Sequence, residues 1–326
     1  MIAVMNGVDM PVSAAIPVAT GTSATIVPTL VPTATSGNME DTFALNDAFE
    51  EAAANNPNGA DMPGLHLEGP YFAYGQRGAQ DPRHLRNPQP EEYLQILDRC
   101  PKILRWSVAP ELPGAFELGA ELKKRGILAA IGHSDAGYAE VEAAWNAGYT
   151  HVTHLYSGMS VLHRRNAYRY VGVLESAYLI DDMTVEIIAD GCHLPAELLK
   201  FVYKFKGPEK TALITDSMRG AGMPDGPSML GHWRDGLETI IEDGVAKLPD
   251  RTAFAGSVAT ANVLIRTMVK EAGCSVPAAV KMLTQIPAEI LKVNKGELAP
   301  GKDADIVVFD DDITVKAVFL AGQKVN

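Results

Sequence analysis

Cysteine is scarce: the 326-residue chain has three, Cys100, Cys192 and Cys274, widely spaced and odd in number. That excludes a disulfide framework, fits a reducing compartment and, with no CxxC pair, leaves no thiolate metal site. Long apolar runs are missing as well. Nowhere do 18 apolar residues follow one another, and no basic N-terminal segment leads into an apolar one, so neither a membrane span nor a secretory leader is expected. The expected location is the cytoplasm. Positive charge is in deficit, 28 Lys and Arg against 40 Asp and Glu, for a net charge of -12. Nucleic acid and membrane surfaces are therefore not expected partners, whereas a local basic pocket for a phosphorylated small molecule stays open. Internal repeats are absent too, and the one biased stretch, residues 13–36, is rich in Thr, Ala and Pro.

What is present is apolar content, 47% of residues, enough for a large core. Short β-branched runs alternate with amphipathic ones. Eight of the former read as strands: Ile2 to Asn6, Ala24 to Leu30, Leu65 to Glu68, Ile103 to Val108, Ile127 to Ile131, His151 to Leu155, Thr184 to Ala189 and Ala212 to Thr215. Helical patterns separate them, as at Asp41 to Ala54, Pro90 to Arg99, Ala115 to Arg125, Ala139 to Ala147 and Ala196 to Tyr203. This alternation predicts an α/β protein with a parallel sheet, and eight repeats fit a (β/α)8 TIM-like barrel. A doubly wound sheet is disfavoured, because no GxGxxG turn follows the first strand. Residues 229–251, around Asp235-Gly236 and Asp243-Gly244, read as inserted hairpins. A helix from Val258 to Ala272 and two shorter ones lead to Val293. Beyond it, strands at Asp305 to Asp310 and Val315 to Leu320, with a hairpin through Ala321 to Lys324, predict a small β domain. The expected division is 1–293 for the barrel and 294–326 for the incomplete β domain.

The stretch Gly64-Leu65-His66-Leu67-Glu68-Gly69-Pro70 puts a carboxylate at the end of a buried strand and stops the strand with Gly-Pro. Residues i and i+2 share a face, so His66 and Glu68 point away from Leu65 and Leu67. On this stretch alone the preferred reading is a hydrogen-bonded carboxylate, the alternative a metal ligand. In a barrel, however, chemistry gathers at the carboxyl ends of strands. Four ends carry a suitable group: Glu68, His133 in Gly132-His133-Ser134-Asp135, His154 in Thr153-His154-Leu155-Tyr156, and Asp216 in Thr215-Asp216-Ser217-Met218. Singly each has a bland explanation, His133 as a helix cap and Asp216 as a turn residue. Together they form a site for zinc, iron or another divalent metal, with Asp216 placed to move a proton during hydrolysis of an amide-like bond. His151, of opposite parity to His154, is expected to face the helices.

These residues resemble the amidohydrolase superfamily and, within it, the N-acetylglucosamine-6-phosphate deacetylase family. The resemblance runs from about Gly7 to Asn326. It rests on GLHLEGP at 64–70, VAPEL at 108–112, GHSDAGY at 132–138, THLYSGMS at 153–160, ADGCHL at 189–194, TDSMRGAGMPDG at 215–226, FAGS at 254–257 and GELAPGKDADIVVFD at 296–310. It implies that Glu68, His133 and His154 bind metal and that Asp216 is the catalytic acid/base. It further implies that Ala79, Gln80, Ser157, Gly158, Arg165, His193 and the backbone of Phe254, Ala255 and Gly256 contact a phosphorylated N-acetylated amino sugar. For Arg164 and Arg165 the bland reading is a solvated basic pair. A homodimer is also implied.

Three departures from the family pattern stand out. The first strand has Val4-Met5-Asn6 where two-metal members carry His-x-His, so one divalent metal is expected. Gln80 occupies the position of a histidine that helps polarise the substrate carbonyl; it donates a hydrogen bond but supplies no charge. The N-terminal strands of the β domain are lacking, which leaves only its C-terminal half. The expected reaction is deacetylation of N-acetylglucosamine 6-phosphate. The alternatives are another N-acyl sugar phosphate such as N-acetylgalactosamine 6-phosphate, and a non-catalytic metal-binding remnant.

Overall fold

The computed structural model describes residues 2–6, 29–34, 36–56, 59–231 and 236–325. The strand-forming runs make β1 (Ile2–Asn6), β2 (Thr29–Ala34), β3 (Leu65–Glu68), β4 (Ile103–Val108), β5 (Leu128–Ile131) and β6 (Tyr149–Val152). A hairpin of β7 (His163–Arg165) and β8 (Tyr168–Tyr170) intervenes before β9 (Thr184–Ile188) and β10 (Thr211–Ile214). Eight of these ten form one parallel sheet in chain order, with β6 pairing β9 across the hairpin. Helices α1 (Met39–Ala54), α2 (Pro90–Arg99), α3 (Ala115–Arg125), α4 (Tyr138–Ala147), α5 (Val173–Leu179) and α6 (Ala196–Phe205) supply the crossovers. This is the strand and helix succession of a (β/α)8 barrel. A flat sheet would hold β3 and β10 about 24 Å apart, yet Glu68 and Asp216, at and just beyond their ends, line one cavity. The sheet is therefore curled.

The apolar core lies between sheet and helices, where Trp106, Leu118, Leu122, Ile131 and Ile187 are fully buried and Tyr71 stacks on Trp106. Helix ends follow local chemistry. Pro90 opens α2 with two acidic residues behind it and Arg99 in its last turn, and α3 stops at Gly126, whose φ of 75° a side chain would disfavour.

Boundaries differ from expectation in two informative places. The second strand lies at Thr29–Ala34 rather than Ala24 to Leu30, whose first five residues are outside the described ones; it runs through Pro32, a residue that argues against a strand interior. The sixth ends at Val152 rather than Leu155, because His154 turns to φ 30°, where extended chain cannot continue. Neither the β7–β8 hairpin nor α5 was expected.

After β10 the chain forms an antiparallel sheet of β11 (Gly226–Leu230), β12 (Leu237–Glu242), β13 (Val245–Lys247) and β14 (Phe254–Ser257). The hairpin at Asp243-Gly244 is as expected, with both residues at positive φ; Asp235 falls outside the described residues. Helices α7 (Ala261–Lys270), α8 (Val276–Leu283) and α9 (Gln285–Leu291) follow, α7 shorter at each end than Val258 to Ala272. The tail is a three-stranded antiparallel sheet of β15 (Ile306–Phe309), β16 (Val315–Leu320) and β17 (Gln323–Lys324). It is joined to the barrel. Ile313, between β15 and β16, is buried in the barrel core, and Lys295 reaches Asp61, Asp303 and Asp305 at 3.0, 2.7 and 2.7 Å. Among the described residues no helix is long and apolar enough to cross a membrane.

Candidate metal centre and active site

Glu68, His133 and His154 meet at the carboxyl end of the barrel. Glu68 Oε1 lies 2.9 Å from His133 Nε2 and 3.2 Å from His154 Nε2, and the two nitrogens are 3.1 Å apart. His133 Nδ1–H donates to the Gln76 carbonyl at 2.8 Å, which leaves its Nε2 as a lone-pair donor. Inward-facing lone pairs at this range repel unless a cation lies between them. Ligand atoms about 2.0–2.2 Å from one tetrahedral zinc ion are themselves about 3.3–3.5 Å apart, close to the spacings here. All three residues are buried, and the two nitrogens and one carboxylate suit a divalent metal. Without a metal the same imidazoles, when protonated, donate to Glu68 instead: burial raises its carboxyl, but those hydrogen bonds outweigh it and hold the group well below the usual range. Burial lowers His154, and its contact with Glu68 overrides this to push it up to about 9.

Asp216 follows β10 and is 7% exposed. Burial, and next the Glu68 charge, push its carboxyl up to about 7. Three of the four groups stand on strained backbone: His133 (φ 48°), His154 (φ 30°) and Asp216 (φ 48°) occupy the left-handed region that favours glycine. Each sits just past a strand end, where this sharp turn swings the side chain over the barrel mouth instead of along the strand.

A cavity of about 220 Å³ opens over these groups. The expected contact residues Ala79, Gln80, Ser157, Gly158, His193, Phe254, Ala255 and Gly256 all line it. Gln80 Oε1 accepts from the Ser36 backbone N–H at 2.9 Å, so its amide NH2 faces inward, 3.4 Å from Glu68 Oε1. The Phe254–Gly256 backbone arrives because β14 runs beside the end of β10: Ser257 N–H donates to Asp216 O and Met218 N–H to Ser257 O. His193 is fixed by Asp190, whose Oδ2 accepts from Nδ1–H at 2.7 Å, and its ring packs 4.8 Å from Phe254. Gly158 is tight against His133; a Cβ there would lie 2.8 Å from His133 Nδ1 and 2.9 Å from Gln76 O. Arg165 is not brought to this cavity. It and Arg164 are exposed on the β7–β8 hairpin.

Several supporting residues were missed by the sequence reading. Glu111 accepts from Ser134 Oγ (2.7 Å) and Asp135 N–H (2.6 Å), steadying the turn that carries His133, and the VAPEL motif held that signal. Below Glu68, His133 and His154 lies a buried polar layer of His66 and His151, both singled out in the sequence, with Arg105, Ser107, Thr153 and Glu186, which were not. Arg105 donates to Glu186 through both terminal nitrogens and to His66 Nδ1 at 2.9 Å. His66 Nε2–H therefore donates to Ser107 Oγ, 2.7 Å away, and the Ser107 and Thr153 hydroxyls share a hydrogen bond of 2.7 Å. Burial, and then Arg105, keep His66 neutral by lowering its pKa well below the usual value. His151 corrects the parity expectation: it meets Glu186 Oε2 at 3.2 Å inside the barrel instead of facing the helices. The β5–β6 pairing slips between Ala129 and Ala130, and His154 lies beyond the strand, so alternation does not carry from one histidine to the other.

A barrel with two histidines, a metal-competent carboxylate and a buried aspartate at its strand ends is the architecture of a metal-dependent hydrolase. The chain belongs to the amidohydrolase family, whose model matches residues 32–325. Among its relatives, the N-acetylglucosamine-6-phosphate deacetylase of Danio rerio is 33% identical over 82% of this chain and 67% of its own length. The N-acetylgalactosamine-6-phosphate deacetylase of Escherichia coli is 31% identical over 90% of this chain and 76% of its own. The crystal structure of N-acetyl-D-glucosamine-6-phosphate deacetylase from Mycobacterium smegmatis superposes with a TM-score of 0.88 at 31% identity, covering 100% of this chain and 85% of that one.

Proposed function

We propose that the protein removes acetate from N-acetylglucosamine 6-phosphate, leaving glucosamine 6-phosphate. The observation that carries this reading is the meeting of Glu68, His133, His154 and Asp216 at one cavity, in a chain whose relatives deacetylate that sugar phosphate. Glu68, His133 and His154 hold one divalent ion, zinc or iron, which when bound polarises the amide carbonyl and acidifies the attacking water. Asp216 takes the proton from that water and returns it to the leaving nitrogen. A carboxyl pushed up to about 7 both accepts and releases a proton near neutrality. Gln80, its amide oriented by Ser36, offers a neutral N–H to the acyl oxygen. His193 and the Ser157-Gly158 turn receive the sugar phosphate, and Phe254, Ala255 and Gly256 enclose the acetamido end. Arg165 stands outside the cavity of its own chain, so its role as phosphate anchor is tied in this reading to a homodimer in which a second copy brings the hairpin across. The reaction belongs to amino-sugar catabolism in the cytoplasm, and residues 294–326 are proposed as the C-terminal half of a small β domain packed on the barrel.

The test is Asp216→Ala with metal content measured alongside acetate release. The expected result is turnover reduced at least about 100-fold with metal content equal to wild type; undiminished turnover would refute the mechanism. The Escherichia coli relative favours a second reading, with the C4 epimer as substrate. Comparing kcat/KM for the two epimers decides between them, and a filled site with no turnover on either would mark the chain as a non-catalytic remnant.

A further inference from the structure

We infer that Glu186, neutralised by Arg105, is the positioning residue for His154: it clamps the strained turn that aims this ligand at the metal. A metal-binding histidine ordinarily has its second ring nitrogen held by a partner. His133 does, through Nδ1–H to Gln76 O. His154 does not, since its Nδ1 is buried without a hydrogen-bond partner among the described residues. Its direction must then come from the backbone, and that backbone is strained at φ 30°.

The two N–H groups of this turn converge on Glu186. Leu155 N–H donates to the Glu186 backbone oxygen at 2.7 Å, and His154 N–H to its Oε1 at 3.4 Å. The side chain is itself immobilised: Arg105 Nη2 donates to Oε1 at 2.7 Å, Arg105 Nη1 to Oε2, and His151 Nε2 lies 3.2 Å from Oε2. Both members of the ion pair are at least nine-tenths buried. An ion pair this deep is an expensive way to gain stability alone, since desolvation offsets most of the attraction. A fixed platform for a catalytic histidine is what it supplies instead.

The inference rests on the metal site proposed above, and the experiment separates the two. Metal-free full-length protein is titrated with zinc(II) against a fluorescent chelator for wild type, Glu186→Gln and Glu186→Asp, with circular dichroism and thermal melting confirming the fold. In the Gln variant Arg105 captures the only carbonyl oxygen and turns the NH2 towards the His154 N–H. In the Asp variant, the milder change, the charge remains but the reach is lost. Both are expected to bind zinc about 10–100-fold more weakly per folded molecule, a loss that a merely structural role would not produce. Unchanged zinc affinity in either folded variant overturns the clamp, and the Asp variant decides if the Gln variant fails to fold. Wild type that binds no zinc would instead overturn the metal site.

Discussion

Asp216 carries a measurable liability. Its folded pKa is raised to about 7 by burial and by Glu68, whereas the unfolded chain titrates near about 3.9. Between those values the native state binds the extra proton. The stabilisation from this group is therefore full below about pH 4 and is lost as pH rises through 7. In protein stripped of metal by a chelator, Asp216→Asn is expected to be more stable than wild type at pH 8 by up to about 4 kcal/mol, with the gap closing towards pH 4. Urea melts across that range check both sign and window; a gap that shrinks as pH rises contradicts the assignment. Gly158 offers a second test at this scale. Its φ is 56° and a Cβ would press on His133 and Gln76, so Gly158→Ala should displace His133 and weaken zinc binding about tenfold or more, read by the same chelator competition.

Among the elements, α1 begins with a reciprocal cap. Asn38 Oδ1 accepts from Asp41 N–H at 2.9 Å, and Asp41 Oδ2 from Asn38 N–H at 3.1 Å. Asn38→Ala is expected to cost about 1 kcal/mol of stability, seen as a lower Tm. What sequence reading recovered at this scale follows physical lines. β3 alternates leucine with a polar residue and β4 is an apolar-rich run, each closed by turn residues, and their observed limits match the expected ones. The β7–β8 hairpin escaped because all six of its strand residues are exposed, so no apolar alternation marks it. β6 was misplaced because a histidine at positive φ looks, in sequence, like one more strand position.

Over the whole molecule, the four groups that meet at the cavity were legible because each lies at or within two residues of a strand's end, where barrel geometry sends chemistry. The Arg105–Glu186 platform was not legible: in the sequence its members are isolated mid-strand charges, and only the curled sheet joins them across 81 positions. The tail makes a test at this scale. Because Ile313 is part of the barrel core and Arg266 donates to the Asp312 and Ile313 carbonyls, a chain ending at Val293 should lose about 2–5 kcal/mol from the vacated core position alone. Thermal melting of the truncated protein measures this, and an unchanged Tm would make residues 294–326 a dispensable appendage.

The positive φ angles at His133, His154 and Asp216 also bear on selection. Glycine at any of the three would relax the backbone, and at 216 it would also remove a buried carboxylate, so heat resistance and catalysis pull these positions in opposite directions. A library sorted for thermal survival alone would drift towards glycine at 133, 154 and 216. Only concurrent sorting for acetate release would retain the residues that make the barrel mouth a site.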